Sequence, residues 1–152
     1  MDVIVYEMSH KKELPEKSVI SCIPMESKYF DVYMKIYNAC FYDMRKALEI
    51  KPYDFLYSYS QIAEKIQDIY LLMEEEEIIG SVACYGNEVD DLIVNPVYQK
   101  RGYGKQLLLW AMEQIREKNQ DPITLHVAEW NQHAVALYRK MGFEVTNVIK
   151  VR

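Results

Sequence analysis

Cysteine, glycine and proline are all scarce in this sequence, and each scarcity removes a class of protein. The three cysteines, Cys22, Cys40 and Cys84, stand far apart in apolar settings, with no Cys-x-x-Cys pair and no histidine at zinc spacing. An odd, scattered set of thiols fits small buried hydrophobes in a reducing compartment, so neither a disulfide framework nor a metal is expected, and the cytoplasm is the expected location. Five glycines and five prolines, beside 50% hydrophobic and 27% charged residues, are too few for a disordered or low-complexity chain. No apolar run approaches the ~20 residues that span a bilayer, and the opening Met-Asp-Val-Ile-Val-Tyr-Glu lacks the basic flank of a signal peptide, so no membrane partner is expected. Runs of Lys and Arg are missing as well, and the net charge is -5. Binding to a polyanion needs a clustered basic surface, so no nucleic-acid partner is expected. A length of 152 residues is that of one soluble globular domain, taken as residues 1–152.

The most informative stretch runs from Glu88 to Lys118. Leu92-Ile93-Val94 is apolar and β-branched, and Asn95-Pro96 closes it, because proline cannot donate to a ladder. After Gly104 the apolar period becomes helical, with Leu108, Ala111, Met112 and Ile115 on one face. The first amides of a helix lack internal partners, and the helix dipole favours an anion there. Gly102 and Gly104 let the backbone approach such an anion closely, while Lys100, Arg101 and Lys105 add positive charge. Two better-known phosphate loops fail on the letters. A P-loop needs Ser or Thr where Gln106 follows Lys105, and a dinucleotide fingerprint needs glycine where Leu107 stands.

Gln99-Lys100-Arg101-Gly102-Tyr103-Gly104, following a strand that ends in an apolar-Val-x-Pro turn, resembles the first signature of the GNAT superfamily of acyl-CoA N-acyltransferases. A second signature follows downstream. Ile123, Leu125 and Val127 alternate as a strand, Asn131 is a good helix N-cap, Ala134, Leu137, Tyr138 and Met141 share a helix face, and Gly142-Phe143 closes it. The two signatures cover about the last two-fifths of the chain.

The resemblance implies a single-domain α/β fold, a mixed central β-sheet flanked by helices on both faces. It implies an N-acetyltransferase that moves an acetyl group from acetyl-CoA to a primary amine by direct attack in a ternary complex. The cofactor would lie on Gln99, Lys100, Arg101, Gly102, Tyr103, Gly104 and Lys105, with its pantetheine arm along Leu92, Ile93 and Val94 and against Asn131 and Tyr138. A main-chain N–H near Ile93 or Val94 would hold the tetrahedral oxyanion. By the family pattern Glu88 and Asp90 are the candidate general bases, with Asp91 on the other face of a regular strand, and Tyr138 is the proton donor to the departing thiolate. His126 replaces an acidic residue common in the family and is read as a strand residue rather than a base. Arg139 and Lys140 either reach the cofactor's 3′-phosphate or belong to an exposed helix face. The alternative from another class is a non-catalytic acyl-CoA-binding sensor or structural module on the same fold.

The first half reads less sharply. Val3 to Met8 and Val19 to Ile23 are expected as strands that can pair as a hairpin, a helix is expected from a Ser27 cap to Leu48, and a shorter one around Tyr59 to Ile66. Ile69 to Met73 and Ile78 to Tyr85 read as a hairpin whose acidic tip, Glu74 to Glu77, is a solvated turn rather than a metal site. Seven of the 13 tyrosines fall between Tyr29 and Tyr59, either as core or as one wall of an acceptor pocket. Tyr33, Tyr37 and Tyr57 are the candidates for holding a cationic amine on their ring faces. The sequence leaves the acceptor unidentified and a homodimer open.

Overall fold

In the computed structural model, which describes residues 2–152, the chain forms strands β1 (Ile4–His10) and β2 (Ile23–Pro24), then helix α1 (Phe30–Ala47). Strands β3 (Ile69–Glu74), β4 (Glu77–Tyr85) and β5 (Glu88–Val94) follow, and helix α2 (Tyr103–Lys118), strand β6 (Ile123–Ala128), helix α3 (Gln132–Lys140) and strand β7 (Glu144–Lys150) complete the order. Met1, the first residue of the expected 1–152 domain, lies outside the described residues. The strands make one seven-stranded sheet, ordered β2-β3-β4-β5-β6-β1-β7. Its pairings are antiparallel except that of β5 with β6, so this is a mixed sheet.

Each face of the sheet carries its own core. On one face α1 lays Phe30, Tyr33 and Ile36 against Ile69, Leu71, Ile78, Ala83 and Ile93. On the other, α2 and α3 bury Leu107, Leu108, Met112, Ile115 and Val135 against Ile79, Val82, Val89, Leu125 and Val127. Alternation along each strand divides these residues between the two layers. The β3–β4 hairpin turns through Glu75 and Glu76 at φ of +48° and +70°, which leaves the acidic tip exposed.

Two expectations in the first half are corrected. β1 does not pair with a Val19–Ile23 strand, because its edges are taken by β6 and β7. Residues 11–22 instead cross the outside of α2 as an irregular strap, with only Ile23–Pro24 reaching β3. The reason lies in α2, which is apolar nearly all round from Leu107 to Met112 and needs cover on its outer side. Leu14, Ile20 and Cys22 pack onto that core. The strap's backbone finds partners in α2 side chains: Ser18 N–H and Oγ donate to Glu113, and Val19 N–H donates to Gln106 Oε1 at 2.8 Å. The expected helix at Tyr59 to Ile66 is two short 3-10 segments, Tyr59–Gln61 and Ala63–Asp68, the first opened by a Ser58/Gln61 capping box. A segment this short is costly to nucleate as α-helix, and burial of Ile62 at the break fixes the two turns instead.

Candidate active site

The strand-to-helix turn is built as its sequence predicts. Gly102 occupies the N-cap of α2 at φ +86°, where a residue with a Cβ is strained. Gln106 N–H donates to Gly102 C=O at 3.2 Å and closes the first turn, so the amides of residues 102–105 precede the helix ladder. A groove of about 560 Å³ runs from this turn between β5 and α3. Gln99, Lys100, Gly102, Tyr103, Gly104 and Lys105 line one end, and Leu92, Ile93, Val94, Asn131 and Tyr138 line the rest. Arg101 is the exception among the expected cofactor residues: it does not line the groove, and its guanidinium sits 5.4 Å over the Tyr98 ring. Lys105 lines the groove but also pairs with Glu16 of the strap. Arg139 and Lys140 do not line it.

β5 and β6 share a single register pair, Glu88 with Thr124, and the parallel ladder goes no further. Beyond it the strands leave main-chain groups along the groove. The Val94 carbonyl is already in use, accepting from Cys40 Sγ at 3.1 Å and Gln99 Nε2 at 3.0 Å. Asn131 caps α3 through Oδ1, which accepts from Ala134 N–H at 3.2 Å, and its amide nitrogen stays available to the groove.

A second cavity of about 280 Å³ lies beneath the C-terminal half of α1, lined by residues 89–92 of β5 and 125–128 of β6. It shares Phe41, Met44, Leu92, Asn131 and Tyr138 with the groove. Tyr138 therefore stands where the two spaces meet. Burial, with the Asp90 charge as a smaller cause, pushes its phenol up to about 12.

The candidate bases fall out differently from the sequence reading. A regular strand would put Asp91 opposite Glu88 and Asp90, but β5 is not regular. Ser81 pairs with Ile93 and Ala83 with Asp90, so two residues, Asp91 and Leu92, face Val82 alone. This β-bulge places Asp91 at φ +47° and turns it toward α1, where it accepts from Tyr37 Oη at 3.2 Å. Asp91 joins Asp90 in lining the second cavity, and Glu88 does not line it. Glu88 is engaged instead by His126, whose Nδ1 lies 2.5 Å from Glu88 Oε2 and whose Nε2 lies 3.2 Å from Glu7 Oε2. Asp90 is exposed and accepts from the Asp91 N–H at 2.7 Å. Burial first, and the neighbouring Asp90 charge second, push the Asp91 carboxyl up from 3.8 to about 6.

Sequence reasoning missed Asp91, although a signal was present. In a regular strand Val89, Asp91 and Ile93 share a face, which would set a carboxylate between two core residues; the structure resolves this by slipping one residue, with Val89 and Ile93 in opposite layers. The α1 contribution, Cys40, Phe41 and Met44, and the α3 contribution, Trp130 and His133, were also missed. The tyrosine-cage expectation is corrected. Tyr33 is 1% exposed and Tyr57 75% exposed, neither lines a cavity, and Tyr37 meets the site through its hydroxyl rather than its ring face. The Tyr33 and Tyr85 hydroxyls are buried without a partner, and both feel the Asp91 charge.

The profile of the acetyltransferase (GNAT) family matches residues 30–143. A peptidyl-lysine N-acetyltransferase of Salmonella typhimurium is 33% identical over 73 residues, 48% of this chain and 47% of that protein. A ribosomal protein bS18-alanine N-acetyltransferase of Haemophilus influenzae is 29% identical over 120 residues, 74% of this chain and 82% of that protein. Against the first of these, the chain spans about half the relative's length. A GNAT-family acetyltransferase structure from Colwellia psychrerythraea superposes with a TM-score of 0.76 at 11% identity, over 97% of this chain and 55% of that one, and shares the fold. The profile covers most of the chain and takes in every residue that lines the larger groove, and on that ground the chain belongs to the GNAT acetyltransferase family.

Proposed function

We propose that the protein is an N-acetyltransferase that moves an acetyl group from acetyl-CoA to a primary amine by direct attack, with Asp91 as the base and Tyr138 as the proton donor. The observation that carries this reading is the meeting of two cavities at Tyr138, one reaching a glycine-opened helix N-terminus and the other holding a carboxyl at about 6. Both bacterial relatives are named for amine acceptors, a peptidyl lysine and an alanine of a ribosomal protein, which supports the reaction class.

In this mechanism the α2 N-terminus and Lys100 hold the cofactor's pyrophosphate. The amine nitrogen attacks the thioester carbonyl, the C–S bond breaks, and the acetyl group leaves on nitrogen. An alkylammonium near 10.4 gives up a proton to a carboxyl near 6 only at a cost of about 6 kcal/mol before attack. The reacting species is therefore the small neutral fraction of the amine, whose first proton goes to solvent; once that nitrogen has bonded to the carbonyl carbon it is far more acidic, and Asp91 takes its second proton from the tetrahedral intermediate. Tyr138 stays protonated throughout the working pH range and donates to the departing sulfur. Cys40 lines the groove, but burial pushes its thiol up to about 11, so little thiolate exists for an acetyl-enzyme at neutral pH, which favours direct attack.

Calorimetric titration with acetyl-CoA and an amine-dependent thiol-release assay test the reading. The expected result is binding in the micromolar range, about -8 kcal/mol, that Lys100→Glu loses, together with turnover that needs an amine. Binding without thiol release from any amine would make the protein an acyl-CoA sensor instead. No binding by a folded sample would remove both readings.

A further inference from the structure

Resting on that reading, we propose that the acceptor is a small α,ω-diamine, an alkyl chain that presents one amine to Asp91 and a second, charged ammonium to the Glu7–His126–Glu88 row. The cavity beneath α1 is apolar along one wall, with Val3, Val5, Met44, Leu48 and Ile50. Its ionisable lining on the opposite side is Asp90, Asp91 and His126, beside the phenol of Tyr138. No Lys or Arg lines it among the described residues. Of the cationic side chains nearby, Arg45 stacks 4.5 Å from the Phe55 ring, Lys65 lies 5.3 Å over Tyr85 with its charge still felt at Asp91, and Arg152 donates to the carbonyls of Leu48 and Glu49 at the end of α1.

The register places the second charge site. Glu88 is level with Thr124 at the one β5–β6 register pair, Glu7 pairs directly with His126, and the His126 ring nitrogens meet Glu88 and Glu7. Glu88, His126 and Glu7 thus form a row across three neighbouring strands on the α1 face of the sheet. His126 already bridges Glu88 and Glu7, yet one imidazole between two carboxylates leaves the row acidic, and all three side chains stay 31–42% exposed and open to a ligand. Because β5 and β6 no longer pair beyond Glu88, Asp90 and Asp91 stand at least two strand spacings, about 10 Å or more, from Glu7. With an N–H···O contact at each end, an alkyl chain of at least about four carbons closes that distance. Its methylenes then lie along the apolar wall while each ammonium meets a carboxylate. A free amino acid fits badly, since its own carboxylate would sit beside Asp90 and Asp91 with no Lys or Arg in the cavity lining, among the described residues, to receive it.

The test compares kcat/KM for thiol release from acetyl-CoA with 1,4-diaminobutane, 1-aminobutane, 4-aminobutanoate and a basic peptide with a free N-terminus. The diamine is expected to exceed the monoamine by about fivefold, the size of one solvent-exposed ion pair, and 4-aminobutanoate to stay near background. Glu7→Gln is expected to bring the diamine-to-monoamine ratio close to one. Equal or better use of the monoamine, turnover of 4-aminobutanoate, an unchanged ratio in Glu7→Gln, or turnover of the peptide alone would each overturn the diamine assignment and leave the N-acetyltransferase reading standing. No transfer to any of the four acceptors would count against both.

Discussion

Asp91 is held in a place that costs the fold something. Its carboxyl lies at about 6 in the folded chain against 3.8 in the unfolded one, so between those values the native state binds more protons and stability falls as pH rises. The loss is complete above about pH 6 and amounts to at most about 3 kcal/mol. Asp91→Asn, which keeps the shape and removes the charge, is therefore expected to raise the melting temperature at pH 7.5 and to change it little near pH 3.5. Thermal melts at the two pH values check this; an equal shift at both would mean that charge burial is not the cause. Tyr37 supplies the opposing influence, because its hydroxyl bond favours the charged carboxylate. Tyr37→Phe should move the acidic limb of kcat/KM above pH 6, and a limb that stays or moves down would contradict the Tyr37–Asp91 contact.

Between elements, the closest approach is at Gly80. A Cβ there would meet the Ile93 carbonyl and Leu107 Cδ1, both at 2.7 Å, so α2 and β5 are set against β4 by the absence of a side chain. Gly80→Ala should cost about 1–3 kcal/mol in denaturant unfolding and weaken acetyl-CoA binding, because it displaces β5 and α2, which both contribute residues to the groove. Legibility follows the same division. The β5–α2 turn and the β6–α3 signature could be read because their signals are local: an apolar run, a proline stop, glycines at the turn, an asparagine cap. The bulge could not, because it exists only in the pairing of β5 with β4. Nor could the strap, whose backbone partners Gln106 and Glu113 lie 87 and 95 residues away. The tyrosine stripe of α1 was legible as helix periodicity, but periodicity does not say which hydroxyl meets a carboxylate from another element.

For the molecule as a whole, the sheet is a divider. Its α2–α3 face carries a large apolar core, and its α1 face gives way toward β6 and β1 to an acidic, partly open surface. The strap and the β5–α2 turn are joined by the Lys105–Glu16 pair, which links the outer cover of α2 to the proposed anion site. Glu113→Ala removes two charge-assisted bonds to Ser18 and should destabilise the chain by about 1.5–3 kcal/mol, measured by urea unfolding, while leaving the amine preference as it was. The proposed chemistry depends on the two spaces that meet at Tyr138, and hence on a carboxyl that the bulge turns toward α1.

The pH dependence of kcat/KM for amine-dependent thiol release, in the native protein and in Asp91→Asn and Asp90→Asn, tests that assignment most directly. The account predicts an acidic limb near pH 6 in the native protein, kept in Asp90→Asn at a somewhat lower pH because a neighbouring negative charge is gone, and a loss of about 100-fold with no such limb in Asp91→Asn. A native limb that survives in Asp91→Asn, or one that disappears in Asp90→Asn while Asp91→Asn stays active, would contradict it.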